Sequence, residues 1–173
     1  MTLANKITVL RIIAIPVLII ALFEHSLTWA RLIFIFSILS DALDGTLARI
    51  RGERTPLGSF LDPLADKLLL VATYVAFTAL GWIPLWIFIA VLSRDMLIVL
   101  GWSVVYILTG NPKIEPRFLG KATTALQMAV ALSKLLNAPD PLYQGLLRAM
   151  IFTTIVSACD YVWVGNKRLG ALG

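Results

Sequence analysis

The chain has 173 residues, 59% of them hydrophobic and 14% charged, with a formal net charge of +5 and a mean hydropathy of +0.87. Soluble domains average roughly 45–50% apolar and about 25% charged residues, so the composition excludes an ordinary soluble domain and predicts an integral membrane protein. The basic residues flank apolar segments, where they suit anionic headgroups or set topology, so the positive balance is no nucleic-acid signature.

Roughly 20 apolar residues cross a bilayer as helix, and six segments are read as spans on that basis. The first, residues 7–23, has no A-x-A-like site and is followed by further apolar segments, which predicts a span rather than a cleaved signal. Glu24-His25-Ser26 ends it and residues 29–49 form the second. The basic stretch Arg51-Gly52-Glu53-Arg54-Thr55-Pro56 leads to the third, 58–80, and Gly81-Trp82-Ile83-Pro84 to the fourth, 85–109. Gly110-Asn111-Pro112 precedes the fifth, 118–137, and the proline-rich turn Asn137-Ala138-Pro139-Asp140-Pro141 precedes the sixth, 142–164. Lys6 and Arg11, then Arg49, Arg51 and Arg54, then Lys113, Arg117 and Lys121, then Lys167 and Arg168 alternate with loops poor in cations. The positive-inside rule then predicts six transmembrane helices with both termini cytoplasmic. No fixed-period repeat, low-complexity tract or long linker divides the chain, so residues 1–173 read as a single all-α domain. The single cysteine, Cys159, excludes an internal disulfide.

Against this background, residues 40–67 hold four aspartates. Asp41 and Asp44 are three apart near the cytoplasmic end of the second span, and Asp62 and Asp66 are four apart in the first turns of the third. Those spacings put each pair on one helix face, and the short loop makes the two helices antiparallel neighbours. An ionised Asp near a bilayer centre costs roughly 2.5–3.5 kcal/mol on insertion scales, and clustered carboxylates repel one another as well. Bound divalent cations remove both difficulties. All-oxygen ligation suits Mg²⁺ or Mn²⁺, and the only histidine, His25, lies on the opposite side of the membrane. Two metals held by carboxylates form a clamp for in-line displacement at phosphorus. Gly45, Ala48 and Gly58 would let a phosphate-bearing ligand approach the backbone, and Arg49 could hold a phosphate in its fork. The bland readings are helix packing for the small residues, topology marking for Arg51 and Arg54, and a proton relay or a Lys67 partner for a lone Asp. Four aspartates paired across two neighbouring helices fit the metal reading better.

The pattern resembles that of the CDP-alcohol phosphotransferase (CDP-alcohol phosphatidyltransferase) family, D-x-x-D-G-x-x-A-R, eight residues, then G-x-x-x-D-x-x-x-D. Asp41, Asp44, Gly45, Ala48, Arg49, Gly58, Asp62 and Asp66 match it over 26 residues with every spacing intact. The similarity extends from Asn5-Lys6-Ile7-Thr8 and Arg11 to Gly120-Lys121 and Thr124. The resemblance implies a six-helix membrane fold, commonly homodimeric, with a polar active-site cavity open to the cytoplasm. It implies two Mg²⁺ or Mn²⁺ ions held by Asp41, Asp44, Asp62 and Asp66, with Asp66 also the general base. It further implies a CDP-binding border of Asp44, Gly45, Ala48, Arg49 and Gly58. The donor it implies is CDP-diacylglycerol: an acceptor hydroxyl attacks the phosphorus joined to the lipid, and CMP leaves.

Within the family the sequence resembles the branch that makes anionic phospholipids, which places it in a membrane, expected to be the bacterial inner membrane. One group there, the phosphatidylglycerophosphate synthases, uses glycerol 3-phosphate and commonly shows S-R-E, a further Arg on that helix, and G-K-x-K-T. This chain has Ser93-Arg94-Asp95, then Trp102, then Gly120-Lys121-Ala122-Thr123-Thr124, so two cations suited to a small phosphorylated acceptor are missing. The other group, transferase-type cardiolipin synthases, uses phosphatidylglycerol, and this reading is preferred. Arg94, Arg117 and Lys121 are the candidates for gripping an acceptor phosphate. Arg94 stands in mid-span, where an arginine is expensive without a partner, either Asp95 or a ligand; Lys113 and Arg117 could equally be topology charges. An ion-coupled transporter is the alternative of another class, with the absence of an inverted repeat against it.

Overall fold

The computed structural model describes residues 3–51, 56–109 and 118–169, with side chains over 7–40, 64–101, 103 and 118–164. Six helices follow one another: α1 (Leu3–Phe23), α2 (Leu27–Arg51), α3 (Pro56–Ala79), α4 (Leu85–Thr109), α5 (Phe118–Leu135) and α6 (Asp140–Leu169). There is no strand among the described residues. The six expected segments are all present. The largest differences are at the start of α1 and the end of α6, where polar residues such as Asn5, Lys6, Lys167 and Arg168 continue the helix beyond its apolar part. Helix formation requires only satisfied backbone bonds, so it is not bounded by hydropathy.

The helix ends follow from local chemistry. At the end of α1, Ser26 N–H donates to the Ala21 carbonyl at 2.9 Å and His25 N–H to that of Leu22 at 3.1 Å, with His25 left-handed at φ 56°. This is a Schellman closure with histidine in the position usually given to glycine. The same closure ends α3, where Gly81 at φ 71° lets Trp82 N–H reach the Phe77 carbonyl at 2.8 Å. At α6, Asp140 supplies a carboxylate to the positive end of the helix dipole, and Pro141 follows where its missing N–H costs nothing.

The chain forms two compact units. The first holds Met1–Ile83 with Ala131–Asn137, and in it α1 packs against both α2 and α3. Its buried residues include Leu18 and Leu22 of α1, Phe34 of α2, and Leu69, Leu70, Tyr74 and Phe77 of α3. Phe77 stacks in a tilted arrangement on Trp82, with ring centroids 5.2 Å apart. Arg31 of α2 donates from Nε to the Leu135 carbonyl at 2.6 Å, placing a cation on the negative end of α5. The second unit holds Pro84–Val130 and Ala138–Gly173, and in it α4 packs against α6. Thr123 Oγ1 there donates to the Thr153 carbonyl at 3.2 Å, linking α5 to α6.

Polarity is distributed inside out. Thr8, Arg11, Arg94, Asp95, Thr123, Gln127 and Ser157 are buried, whereas Leu10, Ile13, Val17 and Ile20 of α1 face outward, as do Leu85, Ile89, Leu97 and Leu100 of α4. Soluble proteins rarely bury arginine or expose contiguous apolar faces. Among the described residues, Asp140–Val164 is long and apolar enough to cross a membrane by length and composition; Ile7–Phe23 and Leu27–Ser40 are shorter apolar helical stretches.

Candidate active site

Asp41 and Asp44 stand one turn apart in the C-terminal half of α2, with Gly45, Ala48 and Arg49 following on the same helix. Asp62 and Asp66 stand one turn apart in the N-terminal half of α3, after Gly58 in its first turn. α1 packs on both helices and thereby ties the two pairs to one scaffold. The side chains of Asp41, Asp44 and Asp62 lie outside the described residues.

Asp66 is described in full. Its Oδ1 accepts a hydrogen bond from Arg11 Nη1 at 2.9 Å, in an ion pair whose arginine is completely buried and whose aspartate is 23% exposed. The aspartate side chain is therefore partly accessible while its charge is matched by a buried cation. All four residues are carboxylates, oxygen donors of the kind a hard divalent cation takes.

The proposed acceptor residues separate. Arg94 is 3% exposed and is engaged within the second unit. It donates to Asp95 Oδ1 at 2.7 Å, to Ser157 Oγ at 2.8 and 3.2 Å, and to the Gly120 carbonyl at 3.4 Å. Asp95 is thus among its partners, as the sequence allowed. The approach depends on Gly120 having no side chain, since a Cβ there would lie 3.2 Å from Arg94 Nη2 and 3.5 Å from the Tyr161 hydroxyl. Lys121, next along α5, is exposed. Arg117 and Lys113 lie outside the described residues.

Sequence reasoning counted Arg11 among the loop cations and missed its bond to Asp66. The available signal was its place inside an apolar helix, where a cation needs a partner. Ser157 gave no signal, being 63 residues from Arg94.

The pattern of the CDP-alcohol phosphatidyltransferase family matches residues 1–159, which include both aspartate pairs. The chain belongs to the CDP-alcohol phosphatidyltransferase family. A Mycobacterium tuberculosis protein named "Probable phosphatidylglycerophosphate synthase" is 31% identical over 98% of this chain and 84% of its own length. The human cardiolipin synthase (CMP-forming) is 33% identical over 96% of this chain and 62% of its own length. The rat protein of that name matches to the same extent. As a CDP-alcohol phosphatidyltransferase the chain is a transferase of phospholipid biosynthesis, and the transporter alternative gives way to an enzyme.

Proposed function

We propose that this CDP-alcohol phosphatidyltransferase is an integral membrane enzyme that transfers the phosphatidyl group of CDP-diacylglycerol to a hydroxyl of phosphatidylglycerol, releasing CMP and forming cardiolipin. The observation that carries the reading is the pairing of Asp41 with Asp44 on α2 and of Asp62 with Asp66 on α3, both helices packed on α1. Asp41, Asp44, Asp62 and Asp66 would hold two Mg²⁺ or Mn²⁺ ions, which when bound supply positive charge against the pyrophosphate. Gly45, Ala48, Arg49 and Gly58 border the CDP moiety. Asp66 takes the proton of the acceptor hydroxyl as the new oxygen–phosphorus bond forms and the bond to CMP breaks. The partial exposure of Asp66 supports this role, since a base must be reachable by its substrate.

Arg117 and exposed Lys121 are assigned to the acceptor phosphate. Arg94, whose fork already carries four hydrogen bonds, is assigned to holding α4, α5 and α6 together. The buried polar and exposed apolar residues support a six-span membrane protein, and the alternation of cations supports cytoplasmic termini and a cytoplasm-facing cavity, in a bacterial inner membrane. Glycerol 3-phosphate is the second acceptor reading, favoured by the name of the mycobacterial relative. The absence of an arginine at Trp102 favours phosphatidylglycerol.

The test uses detergent-purified protein with CDP-diacylglycerol and Mg²⁺, following CMP and lipid products. Parallel reactions contain phosphatidylglycerol, glycerol 3-phosphate or no acceptor, with and without EDTA. Cardiolipin formed only with phosphatidylglycerol and only with metal is expected. Phosphatidylglycerophosphate from glycerol 3-phosphate would overturn the acceptor, and full activity in EDTA would overturn the metal.

A further inference from the structure

We propose that Arg11 is a positioning residue for phosphatidyl transfer: from inside α1 it fixes the Asp66 carboxylate of α3 in the orientation from which it binds metal and receives the acceptor's proton. The proposal rests on the role given to Asp66 above. Three features of the pair carry it. The first is cost. Taking a guanidinium out of water costs several kcal/mol per ion even after relaxation, and an apolar contact joins helices without that penalty. α1 already contributes buried Leu18 and Leu22 to its unit, so an α1–α3 tie does not require a charge.

The second feature is asymmetry. Arg11 is completely buried, whereas Asp66 keeps 23% of its side chain accessible. The closed member is the cation, which has no chemistry to perform, and the partly open member is the aspartate. A pair serving stability alone has no reason to leave its acidic half open. Ala65, Leu69 and Leu70 beside Asp66 are buried, so the helix turn carrying it is packed in place. With Oδ1 bonded at 2.9 Å to a fully buried donor, the carboxylate plane is restricted, and the position of Oδ2 with it.

The third feature is charge. Four carboxylates fall within 26 residues on α2 and α3, both packed on α1, and like charges brought near one another repel. Arg11 sets a positive charge in direct contact with one of them, at 2.9 Å. Partners that orient a metal ligand typically change metal affinity or activity about 10- to 100-fold when removed.

The test compares full-length Arg11→Met, Arg11→Lys and Asp66→Asn with the parent in detergent, reading kcat and KM for CDP-diacylglycerol. Mn²⁺ affinity without substrate is read from the free-ion paramagnetic resonance signal, and folding from gel filtration and circular dichroism. Arg11→Met is expected to lower kcat about 10- to 100-fold and weaken Mn²⁺ binding about tenfold. Its KM should change by less than about threefold, the split expected when an interaction acts on the reacting group and not on donor binding. Arg11→Lys, which keeps a charge but loses the fork, should fall between and remain folded if the methionine variant does not. Parent-like kcat and Mn²⁺ affinity in folded Arg11→Lys and Arg11→Met, with Asp66→Asn inactive, would overturn the positioning role alone. An active Asp66→Asn would overturn the role of Asp66 and this proposal together.

Discussion

Gly120→Ala should destabilise this protein although alanine is the better helix former. In an ordinary exposed helix the exchange gains about 0.5–1 kcal/mol, because glycine loses more backbone freedom on folding. At Gly120 the new Cβ would meet Arg94 Nη2 at 3.2 Å, inside the roughly 3.5–4.0 Å optimum of non-bonded heavy atoms. Arg94 has little freedom to retreat. Nη2 is held by Ser157 at 2.8 Å, Nη1 by Asp95 at 2.7 Å, and the Tyr161 hydroxyl would lie 3.5 Å from the same Cβ. Overpacking of this kind costs about 1–3 kcal/mol, so the net effect is a loss of roughly 0–2.5 kcal/mol after the helix gain. Gly101 of α4 and Gly145 of α6 are the internal controls, since a Cβ at either meets nothing within 4 Å. Thermal unfolding in one detergent reads all three variants, with about 2–4 °C per kcal/mol for a chain of this size. Gly101→Ala and Gly145→Ala should rise by a few degrees and Gly120→Ala should fall or stay level. A rise in Gly120→Ala equal to the controls would refute the tight joint at Arg94.

Asp66→Asn keeps the shape of the side chain but cannot accept the acceptor's proton, and CMP release should fall about 10²- to 10⁴-fold with gel filtration unchanged. Ser157→Ala removes the acceptor of two Arg94 hydrogen bonds and should cost about 1.5–3 kcal/mol, read as a lower unfolding temperature. His25→Gly should raise that temperature or leave it level, because a left-handed residue with a Cβ costs roughly 1–2 kcal/mol and His25 adopts φ 56°. A marked loss of stability in His25→Gly would mean that the side chain makes a contact worth more than the backbone strain.

The helices were legible because their signals are local. Gly81-Trp82-Ile83-Pro84 ended α3 and opened α4 where expected, since Gly81 can take the positive φ of a Schellman closure and Pro84 cannot continue a helix. The helical placement of Asp41, Asp44, Asp62 and Asp66 was legible for the same reason, since spacings of three and four suit a helix before any fold is known. The extra turns of α1 and α6 were not, because hydropathy reports the solvent a helix suits and not where its hydrogen bonds stop.

The two buried arginines separate what sequence can and cannot supply. Both carried the same warning, a cation inside an apolar helix, and both have an aspartate partner in the structure. Asp95 adjoins Arg94 in the chain, so that pair could be written down from the sequence, whereas Asp66 lies 55 residues from Arg11. Identifying the second pair requires knowing that α1 packs on α3, a product of the whole first unit and not of any window within it. The same difference bears on function. A neighbouring pair such as Arg94–Asp95 can satisfy itself wherever α4 goes, and its further bonds to Ser157 and Gly120 then fix how α4, α5 and α6 meet. Arg11–Asp66 joins α1 to α3 across 55 residues, so the pair depends on how those two helices pack in the first unit.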